Sequence, residues 1–229
     1  MKLLLFDLDG TVLHATHGAA PFSRAMREIF GVEPEAGAVR FDGKTDPAII
    51  EEILAHSGTQ IRLDEATMRT FEQRLAGYLE EALAAGETTV APTQGVLPVL
   101  EALAGRPEFA LAVLTGNLER TARLKLRAAG LAEFFATGAY GSDRTVRADL
   151  PDVARHRYRS ATGRDVPRER CIIVGDTPLD HAAAAANGIP CMLVATGRTA
   201  YDDLVALAPD STFRDWTDAA AIARTLEVL

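Results

Sequence analysis

Short apolar runs recur along the chain with the length and composition of strands that are buried on both faces. They occupy residues 3–6, 110–114, 171–174 and 191–194. Helical periodicity fills the segments between them, at 94–103, 118–129, 152–161 and 179–186. Weaker strands are predicted at 138–140 and 211–213. Strands that alternate with helices favour βαβ units, so we predict an α/β fold with a doubly wound parallel sheet.

One part of the chain departs from this alternation. Between residues 15 and 89 the pattern is amphipathic and helical, at 20–30, 47–57 and 64–85, without a convincing buried strand. We therefore predict a Rossmann-like α/β core formed by 1–14 and 90–229. An all-helical domain, 15–89, is inserted after the first strand.

Composition and charge narrow the range of partners. The chain has 229 residues, of which 48% are hydrophobic, and a net charge of −8. This charge argues against nucleic acid or an anionic membrane as a partner. Two cysteines, and no apolar run long enough to be a signal peptide or a membrane span, lead us to expect a cytoplasmic protein.

Acidic residues follow the first predicted strand. Asp7 and Asp9 are two positions apart, so in an extended segment their side chains point the same way. Two neighbouring carboxylates repel each other, and Mg²⁺, which prefers oxygen ligands, would relieve that repulsion. A strand that ends in solvated acids is the alternative interpretation.

Two further strand ends carry polar groups. Thr115, Gly116 and Asn117 precede a predicted helix, where bare backbone N–H groups bind anions, although a simple helix cap is the alternative. Asp176 ends the third long run, and Asp180 lies in the first turn of the following helix. Because the carboxyl ends of parallel strands meet at one edge, we expect these groups to converge.

Together these segments resemble the haloacid dehalogenase superfamily of phosphohydrolases. The segments are Asp7-Leu8-Asp9-Gly10-Thr11, Leu114-Thr115-Gly116-Asn117 and Gly175-Asp176-Thr177-Pro178-Leu179-Asp180, similar to its first, second and fourth motifs. The helical insert resembles the cap of phosphoglycolate phosphatase-like members. The resemblance implies a Mg²⁺-dependent phosphatase that acts on a small phosphorylated metabolite, as a monomer or homodimer.

The resemblance also implies roles for individual residues. Asp7 would be the nucleophile, and Asp9 the general acid and base. Mg²⁺ would bind Asp7, the backbone carbonyl of Asp9 and Asp176, with Asp180 close by. The phosphoryl oxygens would be held by Thr115, Gly116 and Asn117.

The third motif of the family, usually a lysine, is where this sequence differs. The three lysines of the chain, Lys2, Lys44 and Lys125, lie outside the expected interval, which contains Arg144 and Arg147 instead. We select Arg147 because it directly precedes a predicted helix. Its guanidinium would pair with Asp7 and the phosphoryl group.

In the insert, Lys44 belongs to a Gly-Lys-Thr-Asp loop similar to cap loops of related phosphatases. It would meet an anionic group of the substrate, or else be a solvated lysine beside a capping acid. His14, His17 and His181 are read as packing or surface residues. A phosphomutase of the same fold and a non-catalytic binding protein are the rival functions. The presence of Asp9 argues against a dehalogenase.

Overall fold

The computed structural model of the chain describes residues 1–35, 37, 39–59, 61 and 63–229. Its centre is a six-stranded parallel sheet. The strands of this sheet are β1 (Lys2–Phe6), β4 (Phe109–Leu114), β5 (Thr137–Ala139), β6 (Cys171–Gly175), β7 (Cys191–Val194) and β8 (Ser211–Phe213). Across the sheet they lie in the order β5-β4-β1-β6-β7-β8. The predicted α/β fold with a doubly wound parallel sheet is confirmed.

Strand β1 shows why these apolar runs form buried strands. Its side chains alternate between two apolar clusters: Leu4 and Phe6 pack on one face of the sheet, and Leu3 and Leu5 on the other. All four side chains are fully buried. Both faces must then be covered by helices, because an apolar sheet face is not stable in water.

Helices cover both faces. One face packs against α4 (Val96–Ala104), α5 (Glu119–Ala128) and α9 (Ala219–Val228). The other packs against α6 (Leu150–Thr162), α7 (Pro178–Asn187) and α8 (Tyr201–Ala206). Sequence periodicity did not predict α8 and α9.

The order of the strands places a switch point at β1. From β4 the chain adds β5 on one side of β1, and it then crosses to β6, β7 and β8 on the other side. Parallel pairing aligns Phe6 with Val113 and with Val174, so β1, β4 and β6 end at one level. A crevice at such a point is where open α/β sheets bind ligands.

The insert contains α1 (Ala19–Phe30), α2 (Asp46–His56) and α3 (Glu65–Ala84). Phe22 makes edge-to-face contact with Phe71 in its apolar cluster, at 5.3 Å between ring centroids. The chain enters and leaves the insert through an antiparallel ribbon of β2 (Leu13–Ala15) and β3 (Val90–Pro92), which the sequence did not predict. The boundaries 15 and 89 stay a prediction.

None of the helices in the described part of the chain is long and apolar enough to cross a bilayer.

Candidate active site

Three buried carboxylates meet at the carboxyl edge of the sheet. Asp7 follows β1, Asp176 follows β6, and Asp180 lies in the first turn of α7. One oxygen from each lies within 4.8 Å of the others. This convergence matches the expectation from the strand ends.

Burial changes the acidity of this cluster. It raises the pKa of Asp7 to about 7, although the neighbouring guanidinium of Arg147 acts in the opposite direction. Burial, followed by the charges of Asp7 and Asp180, also raises the pKa of Asp176. Three crowded acids therefore need positive charge nearby if all are to ionise.

Arg147 supplies one positive charge. Its Nη2 donates to Oδ1 of Asp7 at 2.8 Å and to Oδ1 of Asp180 at 2.5 Å. Its Nη1 donates to the carbonyl oxygen of Gly43 at 3.1 Å. Arg144, the other candidate from the sequence, is exposed and donates to the carbonyl oxygen of Asp143. The geometry therefore favours Arg147 over Arg144.

The loops around the acids hold them closely. The hydroxyl of Thr11 donates to Oδ1 of Asp176 at 2.7 Å. Thr177 caps α7, and its N–H and hydroxyl both donate to Oδ2 of Asp180. A Cβ on Gly197 would lie 1.7 Å from Oδ2 of Asp176, so no larger residue fits there without displacement.

Asp9 is oriented differently from Asp7. The chain turns after β1, with the N–H of Thr11 donating to the carbonyl oxygen of Leu8, and the carboxylate of Asp9 lies outside the acidic cluster. The carboxylate of Asp9 accepts hydrogen bonds from Asn117 and Lys125, and its charge is one of those that raise the pKa of Asp7. A place for Asp9 beside Asp7 in a metal site stays a prediction.

Lys125 is a site residue that sequence reasoning missed. It lies in α5 and donates to both carboxylate oxygens of Asp9, at 2.8 and 2.7 Å. Its spacing from Asn117 was a usable signal. Positions 121 and 125 lie about one and two helical turns after Asn117, so Lys125 lies on the same face of the helix as the residues that follow the strand end.

Thr115, Gly116 and Asn117 line the same cavity. The hydroxyl oxygen of Thr115 accepts hydrogen bonds from the side-chain amide of Asn117 at 3.0 Å and from its backbone N–H at 3.3 Å. Of the two N–H groups expected to bind an anion, that of Asn117 is therefore used inside the loop. The N–H of Gly116 has no partner among the described residues.

Residues 43–46, called the 43–46 loop below, connect the insert to the core through hydrogen bonds. The hydroxyl of Thr45 donates to the carbonyl oxygen of Thr145 at 2.5 Å. The N–H of Asp46 donates to the carbonyl oxygen of Gly116 at 2.8 Å, and its carboxylate accepts from the N–H of Leu118. Burial raises the pKa of Asp46 to about 6, against the opposing effect of that hydrogen bond.

The insert and the core enclose a cavity of about 1180 Å³. Its walls include Lys44, whose ammonium is paired with Glu52 of α2. His14 and His17 also line the cavity, whereas His181 is not among its lining residues. Lys44 thus lies where the sequence placed it, but with its charge already paired.

The donor set suits a hard divalent cation. Asp7, Asp176 and Asp180 offer carboxylate oxygens, and Arg147 alone leaves the four groups with a net charge of −2 when all are ionised. Mg²⁺ prefers oxygen ligands and would balance that charge. Both oxygens of Asp180 already accept protein hydrogen bonds, so Asp7 and Asp176 are the freer ligands.

Known proteins resemble this chain along its length. Phosphoglycolate phosphatase of Rhodospirillum rubrum is 29% identical over 222 residues, which cover 94% of this chain and 90% of that protein. Tyrosine-protein kinase PtkA of Mycobacterium tuberculosis is 31% identical over 199 residues, covering 86% of this chain and 62% of that protein. A solved structure from Haemophilus somnus 129PT, described as a predicted phosphoglycolate phosphatase, has a TM-score of 0.68 at 21% identity and covers 97% of this chain and 98% of its own.

The family model for haloacid dehalogenase-like hydrolases matches residues 1–188. Together with the phosphoglycolate phosphatase relatives, this match confirms the predicted resemblance and the predicted class of enzyme, a phosphatase. The chain belongs to the haloacid dehalogenase-like hydrolase family.

Proposed function

We propose that this chain is a Mg²⁺-dependent phosphatase that hydrolyses a small phosphate monoester through an aspartyl-phosphate on Asp7. The arrangement of Asp7 gives this proposal its main support. Arg147 holds one carboxylate oxygen, while the other has no hydrogen-bond partner among the described residues, and the side chain lines the cavity. A fixed carboxylate with a free oxygen is suited to attack phosphorus.

In the first step the free oxygen of Asp7 forms a bond to phosphorus, and the bond from phosphorus to the ester oxygen breaks. The electron pair of that bond stays on the leaving oxygen, which takes a proton from the carboxyl of Asp9 and departs as an alcohol. Asp7 and Asp9 both line the cavity, which would admit the leaving group.

In the second step a water oxygen attacks phosphorus, and the bond to Asp7 breaks. Asp9, now a carboxylate, takes the proton of that water, so Asp7 is regenerated and inorganic phosphate leaves. The two steps consume one water for each ester. The same side chain therefore serves first as general acid and then as general base.

The remaining residues position and neutralise charge. Asp7, Asp176, the carbonyl of Asp9 and, more distantly, Asp180 would hold Mg²⁺. When bound, the ion supplies charge neutralisation at the phosphoryl oxygens. Arg147 balances part of the acidic charge without a metal.

Thr115, Gly116 and Asn117 would bind the phosphoryl oxygens. The N–H of Gly116 supports this role most directly, because it has no partner in the described part of the chain and a backbone donor at the edge of a cavity is available to an anion.

The substrate is proposed only as a class. Relatives named phosphoglycolate phosphatase support a small phosphorylated metabolite, and Lys44 would approach its leaving group. Because Glu52 pairs with Lys44, an anionic leaving group would have to displace that carboxylate. A cytoplasmic location and a monomeric or homodimeric state remain part of the proposal.

The test measures phosphate release from para-nitrophenyl phosphate and from a panel of small phosphate monoesters, with Mg²⁺ and with a chelator. We expect Mg²⁺-dependent release by the native protein and none by Asp7→Asn. Turnover by a clean Asp7→Asn preparation would show that Asp7 is not the nucleophile. Formation of an isomeric phosphate ester in place of free phosphate would favour the phosphomutase.

A control keeps folding and chemistry apart. At about pH 8 the buried Asp7 carboxylate is ionised at a cost, since its pKa is raised to about 7. The neutral asparagine removes that cost, so Asp7→Asn is expected to be at least as stable as the native protein without metal. An inactive but less stable variant would not support the nucleophile.

A further inference from the structure

We infer that Lys125 is a positioning residue, which holds the carboxyl of Asp9 in the one orientation that serves the leaving oxygen. The inference rests on the proposed function, because it assigns Lys125 a part in the same reaction. It goes beyond the motifs identified in the sequence, none of which includes Lys125.

The contacts of Lys125 converge on one acid. Its ammonium donates to Oδ1 of Asp9 at 2.8 Å, to Oδ2 at 2.7 Å and to the side-chain oxygen of Asn117 at 2.7 Å. The three acceptor oxygens belong to two side chains of the cavity wall, Asp9 and Asn117. An ammonium has three hydrogens, so this set uses its full donor capacity.

Asn117 also holds Asp9. Its amide nitrogen donates to Oδ2 of Asp9 at 2.7 Å and to the hydroxyl oxygen of Thr115 at 3.0 Å. Asn117 thus bridges Thr115 at the end of β4, Asp9 after β1 and Lys125 of α5. Asp9 is therefore held by two side chains of one segment, the loop before α5 and α5 itself.

The hydrogen bonds select one oxygen of Asp9. A carboxylate offers about four lone-pair sites, two on each oxygen. Lys125 and Asn117 together occupy both sites of Oδ2, and Lys125 occupies one site of Oδ1. One site remains, on Oδ1, and that is where a proton can be exchanged with a substrate or a water.

Burial separates this ion pair from an ordinary surface salt bridge. The side chain of Lys125 is 13% exposed, whereas that of Asp9 is 39% exposed. Both side chains line the cavity, but the lysine is largely buried and the acid is more exposed. The three hydrogens of the ammonium are already donated to Asp9 and Asn117, which argues against a lysine that recruits substrate by itself.

The experiment compares leaving groups that need a proton with one that does not. Lys125→Met keeps the aliphatic stem and removes the ammonium, and Lys125→Arg keeps the charge. For each variant, kcat/KM is measured with para-nitrophenyl phosphate and with glycerol 2-phosphate, because this constant reports the first step alone. The alkoxide leaving group depends on Asp9, and the nitrophenolate hardly does.

We expect Lys125→Met to lower kcat/KM for glycerol 2-phosphate about 10-fold to 100-fold, and the value for the aryl ester less than about 3-fold. Lys125→Arg should recover part of the loss. In an Asp9→Asn background, Lys125→Met should cause no further loss, since residues that act through one another are not additive.

Equal losses for the two substrates, or a further loss in the Asp9→Asn background, would overturn the inference. So would a rise in KM alone, which would make Lys125 a binding residue. The matched control is Lys2→Met, since the Lys2 ammonium donates to the carbonyl oxygens of Leu226 and Glu227, outside the cavity. It should leave the ratio of the two substrates unchanged.

Two results keep this test separate from the proposed function. If the native protein fails to hydrolyse either ester, the proposed function fails first. Near-ultraviolet circular dichroism shows whether Lys125→Met folds, and if it does not, Lys125→Arg decides alone. Its displaced hydrogen bonds should lower kcat/KM for the alkyl ester more than for the aryl ester. Equal effects on the two esters overturn the inference.

Discussion

Replacing Arg147 tests how the buried acids are balanced. Arg147→Met removes the guanidinium that donates to Asp7 and Asp180, and it leaves the acidic cluster without its cation. Removing one partner of a buried ion pair costs about 3–5 kcal/mol. Arg147→Lys keeps a charge but loses the forked contact that also reaches Gly43, so its cost should be smaller, about 1.5–3 kcal/mol.

The loss of stability caused by Arg147→Met should also depend on pH. Burial raises the pKa of Asp7 to about 7, and Arg147 opposes that effect, so the pKa is higher still in Arg147→Met. A carboxyl whose pKa is raised by folding contributes stability that is lost as pH rises through the folded-state pKa. In the native protein this loss of stability ends near pH 7. In Arg147→Met the free energy of unfolding continues to fall above pH 7, by about 1.4 kcal/mol for each pH unit. The difference in stability between the native protein and the variant therefore grows above pH 7.

Urea unfolding with a chelator present, at about pH 6 and about pH 8.5, measures this difference. The single tryptophan, Trp216, is a suitable fluorescent reporter, because it is fully buried and its indole N–H donates to the carbonyl oxygen of Thr11 near the site. Arg144→Met, which removes an exposed arginine, is the control. The reasoning is refuted if the loss caused by Arg147→Met is the same at both pH values, or no larger than that of Arg144→Met.

Three further predictions concern the metal, the 43–46 loop and the thiols. Mg²⁺ should raise the melting temperature of the native protein more at about pH 8 than at about pH 6, because burial raises the pKa of Asp7 to about 7 and a proton on Asp7 competes with the ion at the lower pH. Mg²⁺ should not raise the melting temperature of Asp176→Asn, and thermal unfolding measures both effects. Gly116→Ala would place a Cβ 2.0 Å from the carbonyl oxygen of Lys44, so the 43–46 loop must move. We expect kcat/KM to fall about 10-fold to 100-fold. The control is Gly77→Ala, whose Cβ would meet nothing within 4 Å and which should not lower kcat/KM. Burial raises the pKa of the Cys171 thiol to about 11, so native protein should react with a thiol reagent far more slowly than unfolded protein.

Much of the fold follows from short-range patterns. Residues 3–6 form a strand because they are continuously apolar, and Asn187 and Gly188 end α7 because glycine adopts the left-handed conformation that closes a helix. The ribbon of β2 and β3 was not predictable in this way. Its strands are three residues each, partly exposed, and more than seventy residues apart, so only tertiary pairing defines them.

The candidate site likewise contains residues that the sequence pattern predicted and residues that only the tertiary structure brings together. Asp7 and Asp176 were predictable because parallel strands carry whatever follows them to one edge. Arg147 was chosen for its place before a helix, and the structure brings it to Asp7. The pairing of Lys44 with Glu52 was not predictable, because which charges meet depends on how side chains fold back across a helix turn. Lys125 was missed although its spacing from Asn117 was a usable signal, because its partner Asp9 lies far away in the chain.

The hydrogen bond from Arg147 to the carbonyl oxygen of Gly43 has a consequence for how the insert and the acidic cluster affect each other. The arginine that holds Asp7 is also one of the attachments of the insert, so the position of the 43–46 loop and the orientation of Asp7 are linked. A displacement of the 43–46 loop would remove one partner of Arg147 and, with it, part of the support of Asp7. A change in how the insert sits on the core would therefore also reach the acidic cluster.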